Sequence, residues 1–195
     1  VTATALADLA AESVRRVNAL YAPARATTWT GLVEFPSQLA PAFELVQQRL
    51  GATRTAVAGV PKTTMLTAYF QRAGIDGMLN PFSLEVLVND TVLPYERPFV
   101  VAHEWAHLAG YAHEAEASFV GWLTCLAGND QSRYSGWLFL ARRLLPALSP
   151  AARADLWTTV DDGPRADIRA IDARLGRMVP VVSRNARRVY DRFLR

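Results

Sequence analysis

The sequence lacks the residues that would cross-link the chain or carry it through a membrane. It contains one cysteine, Cys125, which excludes an internal disulfide framework. It has no uninterrupted apolar run of about 18 residues, so it shows no segment typical of a membrane-spanning helix. Apolar residues make up 51% of the chain and charged residues 20%, which excludes a disordered chain and is typical of a folded domain. We expect a single domain over residues 1–195.

Positive charge is scarce in most of the chain and concentrated at its end. Residues 131–195 carry 13 arginines against 6 acidic residues. A basic segment of this kind can face anionic lipid or nucleic acid. The arginines alternate with aspartates at helical spacing, as in Asp167, Arg169, Asp172 and Arg174, which favours solvated helical faces instead. The segment also resembles no nucleic-acid-binding motif with interleaved aromatic residues, so we expect no nucleic-acid partner.

Apolar periodicity predicts a mainly α (α+β) fold with a small sheet in its first half. We expect a first helix over residues 2–21 and a second that begins after Ser37 as its N-cap and ends at Leu50. Short strands are expected at residues 53–58 and at Leu84–Asn89. The C-terminal half is expected to be helical, over residues 98–109, 113–127, 133–147, 150–160, 164–178 and 182–194. Ser149 is expected to cap the helix that begins at Pro150.

All three histidines of the chain lie within eleven residues, and two of them belong to the pattern HExxH. Positions i and i+4 share one helical face, so the imidazoles of His103 and His107 can bind one ion from the same side. Glu104 lies one step round the helix, where it can contact water without coordinating the ion. Zinc lowers the pKa of bound water to about 7, and a carboxylate can then take its proton. The motif therefore predicts metal-assisted hydrolysis with Glu104 as general base.

A third ligand is needed, and the residues after the motif offer three candidates. His113 would complete HExxHxxGxxH, whereas Glu114 or Glu116 would come from the next helix. If the chain reverses at Gly110, the next helix runs back along the first. Glu114 then lies level with the end of the histidine helix, and for this reason we favour it while the other two remain open. Ser118, one turn further on, would come level with His103 and could orient its ring.

Two further features bear on catalysis. Tyr134, or less favourably Tyr111 or His113, is a candidate to donate a hydrogen bond to the oxyanion of the transition state. The segment Leu84–Asn89 is either an edge strand that binds an extended peptide through main-chain pairing or a purely structural strand.

Several sequence blocks together resemble the DUF3810 family of bacterial proteins. These blocks are Pro81–Asn89, Pro98–Phe99, the HEWAH motif, Gly110–Ala112, Glu114–Ala117 and Arg133–Trp137. The resemblance implies a zincin-like, zinc-dependent metallopeptidase of the gluzincin type. It supports a glutamate rather than His113 as third ligand, with Ser118 standing where the family usually has asparagine. It also implies a soluble domain of a longer, membrane-anchored protein on the extracytoplasmic face of the bacterial cell membrane.

These observations lead to one preferred function and its alternatives. We expect a metallopeptidase that holds one Zn²⁺ ion through His103, His107 and Glu114 and hydrolyses peptide or protein substrates, with Glu104 and Tyr134 as catalytic residues. The first alternative is a non-catalytic zinc-binding domain with a sensing or scaffolding role in a membrane protein. The second is a hydrolase that uses the same ion on a substrate other than a peptide. The sequence indicates no oligomeric state.

Overall fold

The structure is a computed structural model that describes residues 2–29, 31–32, 34–80 and 82–179. The expected helix over residues 182–194 lies outside this part. The α-helices are α1 (Ala3–Ala24), α2 (Phe35–Arg49), α3 (Thr67–Ala73), α4 (Arg97–Leu108), α5 (Glu114–Ala127), α6 (Asp130–Leu144), α7 (Pro150–Thr158) and α8 (Asp162–Leu175), and the strands are β1 (Lys62–Thr63), β2 (Gly77–Leu79) and β3 (Val86–Val88). The mainly α fold with a small sheet in its first half is therefore confirmed. Across the described ranges, none of the helices has both the length and the apolar character needed to cross a bilayer.

Local capping explains where several helices begin. The Ser149 hydroxyl accepts a hydrogen bond from the Ala152 amide at 3.3 Å, and Pro150 occupies the first helical position, as predicted. The prediction that Ser37 caps α2 is wrong, because α2 already begins at Phe35. Ser37 lies in the first turn, where its hydroxyl donates to the Glu34 carbonyl at 2.8 Å.

The expected strand at residues 53–58 is not formed. The Gln47 side chain occupies the place of a neighbouring strand: its Oε1 accepts from the Ala56 amide at 2.7 Å, and its Nε2 donates to the Ala56 carbonyl at 3.1 Å. A buried glutamine in α2 thus satisfies backbone groups that would otherwise need strand pairing.

The three strands form one sheet in the order β1-β3-β2. β1 runs parallel to β3, whereas β2 runs antiparallel to it with Met78 opposite Leu87. The strand expected over Leu84–Asn89 corresponds to β3, which lies in the centre and is paired on both sides. It therefore cannot be the free edge that binds a peptide, and β2 is an edge strand instead.

Helix α4 lies at the centre of the larger of two buried clusters. Val101, Ala102, Trp105 and Ala106 of this helix have no solvent exposure. The Trp105 indole N–H donates to the Gly59 carbonyl at 2.8 Å, so the helix is fixed to the segment that leads into β1. A second cluster joins α1, α6 and α8. The histidine helix is thus held rigidly between the sheet and the other helices.

Candidate metal centre

Three potential ligand atoms converge where α4 ends and α5 begins. His103 Nε2 lies 3.2 Å from His107 Nε2, one turn further along α4. Glu114, the first residue of α5, places Oε2 at 3.2 Å from His103 Nε2 and Oε1 at 3.4 Å from His107 Nε2. In the described part of the chain this is the one group of histidine, cysteine and acidic side chains arranged to hold a metal ion.

The spacing and chemistry of these three side chains fit zinc. A tetrahedral zinc ion with bonds of about 2.0–2.1 Å requires donor atoms about 3.3 Å apart, close to the observed separations. Two imidazole nitrogens and one carboxylate oxygen are also ligands that zinc prefers. The Glu114 side chain is 61% exposed, so the group is open to solvent on that side.

A glycine turn and close helix packing bring Glu114 to the histidines. Gly110 follows α4 with a φ of +95°, a left-handed conformation that favours glycine, and the chain reverses there. Further along α5, a Cβ at Gly121 would lie 2.9 Å from the backbone nitrogen of His103. The two helices can approach this closely only because position 121 has no side chain. The predicted reversal and antiparallel return of α5 are therefore confirmed.

Hydrogen bonds to the far side of each imidazole set its orientation. His107 Nδ1 lies 2.8 Å from the Tyr111 carbonyl, which can only accept, so Nδ1 carries a proton and in the neutral ring the lone pair is on Nε2. His103 Nδ1 lies 3.3 Å from the Ser118 hydroxyl, the contact expected from the sequence. Partners of this kind commonly fix metal-binding histidines.

Glu104 is buried beside this group but is not part of it. Glu104 is only 4% exposed, and its Oε2 has no hydrogen-bond partner in the described structure. Burial raises the pKa of Glu104, and the neighbouring histidines and the Leu79 amide oppose this rise only in part. A carboxyl group with a raised pKa is suited to accept and return a proton.

Strand β2 brings its backbone against Glu104. A Cβ at Gly77 would lie 2.9 Å from Glu104 Cγ, so this close approach requires glycine. At the two ends of this strand pair, the Asn80 amide donates to the Glu85 carbonyl at 2.8 Å and the Asn89 amide donates to the Asp76 carbonyl at 2.9 Å. By the alternation of an antiparallel pair, Gly77 and Leu79 direct their backbone groups away from β3, which agrees with the hydrogen bond from Leu79 to Glu104. This contact was not predicted from the sequence, where Gly77 was the one available signal.

Without metal, the cluster behaves as a charged network. Hydrogen bonds from His103 and His107 hold the pKa of Glu114 well below its usual range. Burial alone would lower the pKa of His107, but the Glu114 hydrogen bond and the nearby Glu104 charge outweigh it and raise the pKa. In the metal-free protein a protonated His107 is therefore paired with the ionised Glu114 carboxylate.

The two other candidate ligands lie outside the group. His113 is the N-cap residue of α5 and is exposed, and Glu116 is exposed in the first turn of the same helix. Neither belongs to the cluster that could hold an ion.

Tyr134 lies in the second buried cluster, and its predicted role as oxyanion donor is wrong. Its side chain has no solvent exposure, and its hydroxyl donates to Asp167. Asp167 is also paired with Arg25 at 2.5 Å. Burial raises the pKa of Tyr134, and the Asp167 carboxylate raises it further. A fully buried hydroxyl that already donates to Asp167 cannot contact a substrate.

A buried arginine joins the elements around the site. The expectation that Asp167 and Arg174 lie on solvated helical faces is wrong, because their exposures are only 7% and 8%. Arg174 of α8 donates to Asp76 Oδ1 at 2.6 Å, just before β2, and to Glu96 Oε1 at 2.6 Å, at the N-cap of α4. A third bond from Arg174 Nε to Glu96 Oε2 measures 3.0 Å. We call these three residues the Arg174 clamp. It fixes β2 relative to the helix that carries Glu104.

Comparisons with known proteins identify a family without adding a function. Neither the curated proteins nor the solved structures include a match to this chain. The model of the DUF3810 family, described as a protein of unknown function, matches residues 1–195. The chain therefore belongs to the DUF3810 family.

Proposed function

We propose that this protein is a zinc-dependent peptidase. The proposal depends above all on one observation: two histidines and a glutamate direct three ligand atoms to one point beside a buried, unpartnered carboxylate oxygen of Glu104. Catalytic zinc sites use three protein ligands and keep one position open, whereas structural sites use four. The described residues offer three, which favours a peptidase over a scaffolding domain.

Each residue of the site has a separate role in the proposed hydrolysis. His103, His107 and Glu114 would hold the ion, which would supply Lewis acidity to polarise a carbonyl and acidify water. Glu104 would accept a proton from the attacking water and pass it to the leaving amine nitrogen. The histidine orientations needed for this are set by the Tyr111 carbonyl and by a serine hydroxyl.

The outer edge of β2 is the proposed position for the substrate backbone. Its backbone groups at Gly77 and Leu79 point away from β3, next to Glu104. An extended peptide paired along this edge would lie alongside the proton-accepting carboxylate. From the family resemblance we also propose that the domain belongs to a membrane-anchored protein and acts on the extracytoplasmic face of the bacterial membrane.

The test of the enzyme compares the parent with Glu104→Gln. Both proteins are loaded with zinc, their metal content is measured, and cleavage of a mixed peptide library is followed by mass spectrometry. We expect one zinc per chain in both and a loss of turnover of about 10²–10⁴-fold in Glu104→Gln. Full zinc loading without cleavage by the parent would favour the sensing or scaffolding alternative. Equal cleavage by both proteins would refute the role of Glu104.

The ligand set is tested separately from turnover. After dialysis against a zinc buffer, Glu114→Ala should lose more than the roughly 10–100-fold in affinity that is typical of residues outside the coordination sphere. Glu116→Ala is the matched control, because it removes the same group from the same helical turn. Equal zinc retention by Glu114→Ala and the parent would remove Glu114 from the ligand set.

A further inference from the structure

A cavity of about 340 Å³ lies between α7, the end of α6 and α8, on elements that contribute no ligand to the metal centre. Its volume falls in the range of small-molecule sites, about 300–1,000 Å³. Helix α7, which forms one wall of the cavity, contains no buried residue. The packing of α7 against the other helices therefore does not account for the cavity.

The interior of the cavity is apolar. Leu145 and Ile168, with exposures of 5% and 4%, form a closed surface, and the Trp157 side chain adds an aromatic wall. Such a surface favours an apolar chain of a ligand, because each buried methylene contributes about 0.8 kcal/mol.

The rim of the cavity carries an excess positive charge. Arg142 lines it, but its Nε donates to Asp172 Oδ1 at 2.9 Å, so that charge is compensated. Arg153 also lines the cavity, is exposed, and forms no ion pair with any residue of the described ranges. One uncompensated guanidinium above an apolar interior favours a ligand with a single anionic group.

We propose that this cavity binds a small amphiphile with one anionic head group, a carboxylate or phosphate, on an apolar chain. The head group pairs with Arg153, and the chain lies against Leu145, Trp157 and Ile168. This site is separate from the metal centre and does not depend on the proposed peptidase activity.

The test uses three probes that separate the charge from the chain. Octyl phosphate below its micelle concentration carries both features, inorganic phosphate carries the charge, and octyl glucoside carries the chain. Binding is followed through the indole N–H resonance of Trp157, assigned with Trp157→Phe. We expect saturable shifts with octyl phosphate and binding at least tenfold weaker for the other two probes. Equal binding of either control probe would overturn the proposal.

Variants of the cavity walls test its location. Arg153→Ala should weaken octyl phosphate binding about tenfold, as expected for loss of a charge-assisted hydrogen bond. Arg143→Ala is the matched control, because Arg143 is exposed nearby on α6 and does not line the cavity. Ala154→Leu should also weaken binding by filling the space. Equal affinities of Arg153→Ala and Arg143→Ala would show that only general surface charge attracts the probe and would refute the site.

Discussion

The close contact of α4 and α5 at Gly121 predicts a large effect of one methyl group on the metal centre. A Cβ at this position would lie 2.9 Å from the His103 nitrogen, 3.1 Å from its Cα and 3.3 Å from the Ala102 carbonyl carbon. All three are backbone atoms of a central helix and cannot turn aside. Because ordinary contacts lie near 3.5–4.0 Å, α5 must move away in Gly121→Ala by roughly half an ångström or more.

This displacement has two measurable consequences. Overpacking costs about 1–3 kcal/mol and the better helix propensity of alanine returns at most about 1 kcal/mol, so we expect a net loss of about 1 kcal/mol in unfolding free energy. Glu114 moves with α5 away from the histidines, and zinc affinity should fall about 10–100-fold.

Urea denaturation of the metal-free protein and a competition titration with a zinc chelator measure the two effects. Ala115→Gly is the control: it exchanges the same two residue types at an exposed position of α5 and should leave zinc affinity unchanged. A Gly121→Ala protein that is more stable than the parent and binds zinc equally well would refute the close packing of these helices.

Three further predictions concern other parts of the structure. Tyr134→Phe removes a hydroxyl donor from Asp167 and should cost about 1–3 kcal/mol in urea denaturation; a parallel loss of zinc affinity would contradict the placement of Tyr134 away from the metal centre. Arg174→Met leaves both carboxylates of the Arg174 clamp unpaired and should cost about 3 kcal/mol or more in the same assay; a change below about 0.5 kcal/mol would contradict the clamp. In metal-free protein the pKa of His107 is raised above its unfolded value of 6.5, so protonated His107 stabilises the folded state. This contribution to the unfolding free energy is fully present below pH 6.5, as long as Glu114 is ionised. It is lost as the pH rises through the raised pKa of the folded state. Denaturation over a pH series in a chelator should show this loss and saturating zinc should remove it, whereas the same profile with and without zinc would contradict it.

Features encoded within one helix or one turn could be predicted from the sequence. His103, Glu104 and His107 lie on one helix, and their shared face follows from helical spacing alone. The prediction of Glu114 as the third ligand also required the chain to reverse at Gly110, and a glycine between two helical patterns indicates such a reversal. The site residues that were predicted well are thus close to one another along the chain.

Features that depend on distant partners could not be predicted. A strand was expected near Ala56, but a glutamine from α2 satisfies its backbone groups. β3 was a candidate edge strand, yet the two-residue strand β1 pairs with its second side, and so short a strand has no periodicity to detect. Tyr134 lies next to an aspartate 33 residues further along the chain. Propensity and periodicity contain no information on such contacts.

An anomalous-scattering map recorded at the zinc edge on crystals grown with zinc tests the central claim most directly. It identifies the metal and its ligands in one measurement. We expect a single peak within about 2.0–2.2 Å of His103 Nε2, His107 Nε2 and a carboxylate oxygen of Glu114. No peak at this position, or a peak coordinated by other side chains while these histidines bond only to their neighbours, would contradict the proposed metal centre and the hydrolytic function that depends on it.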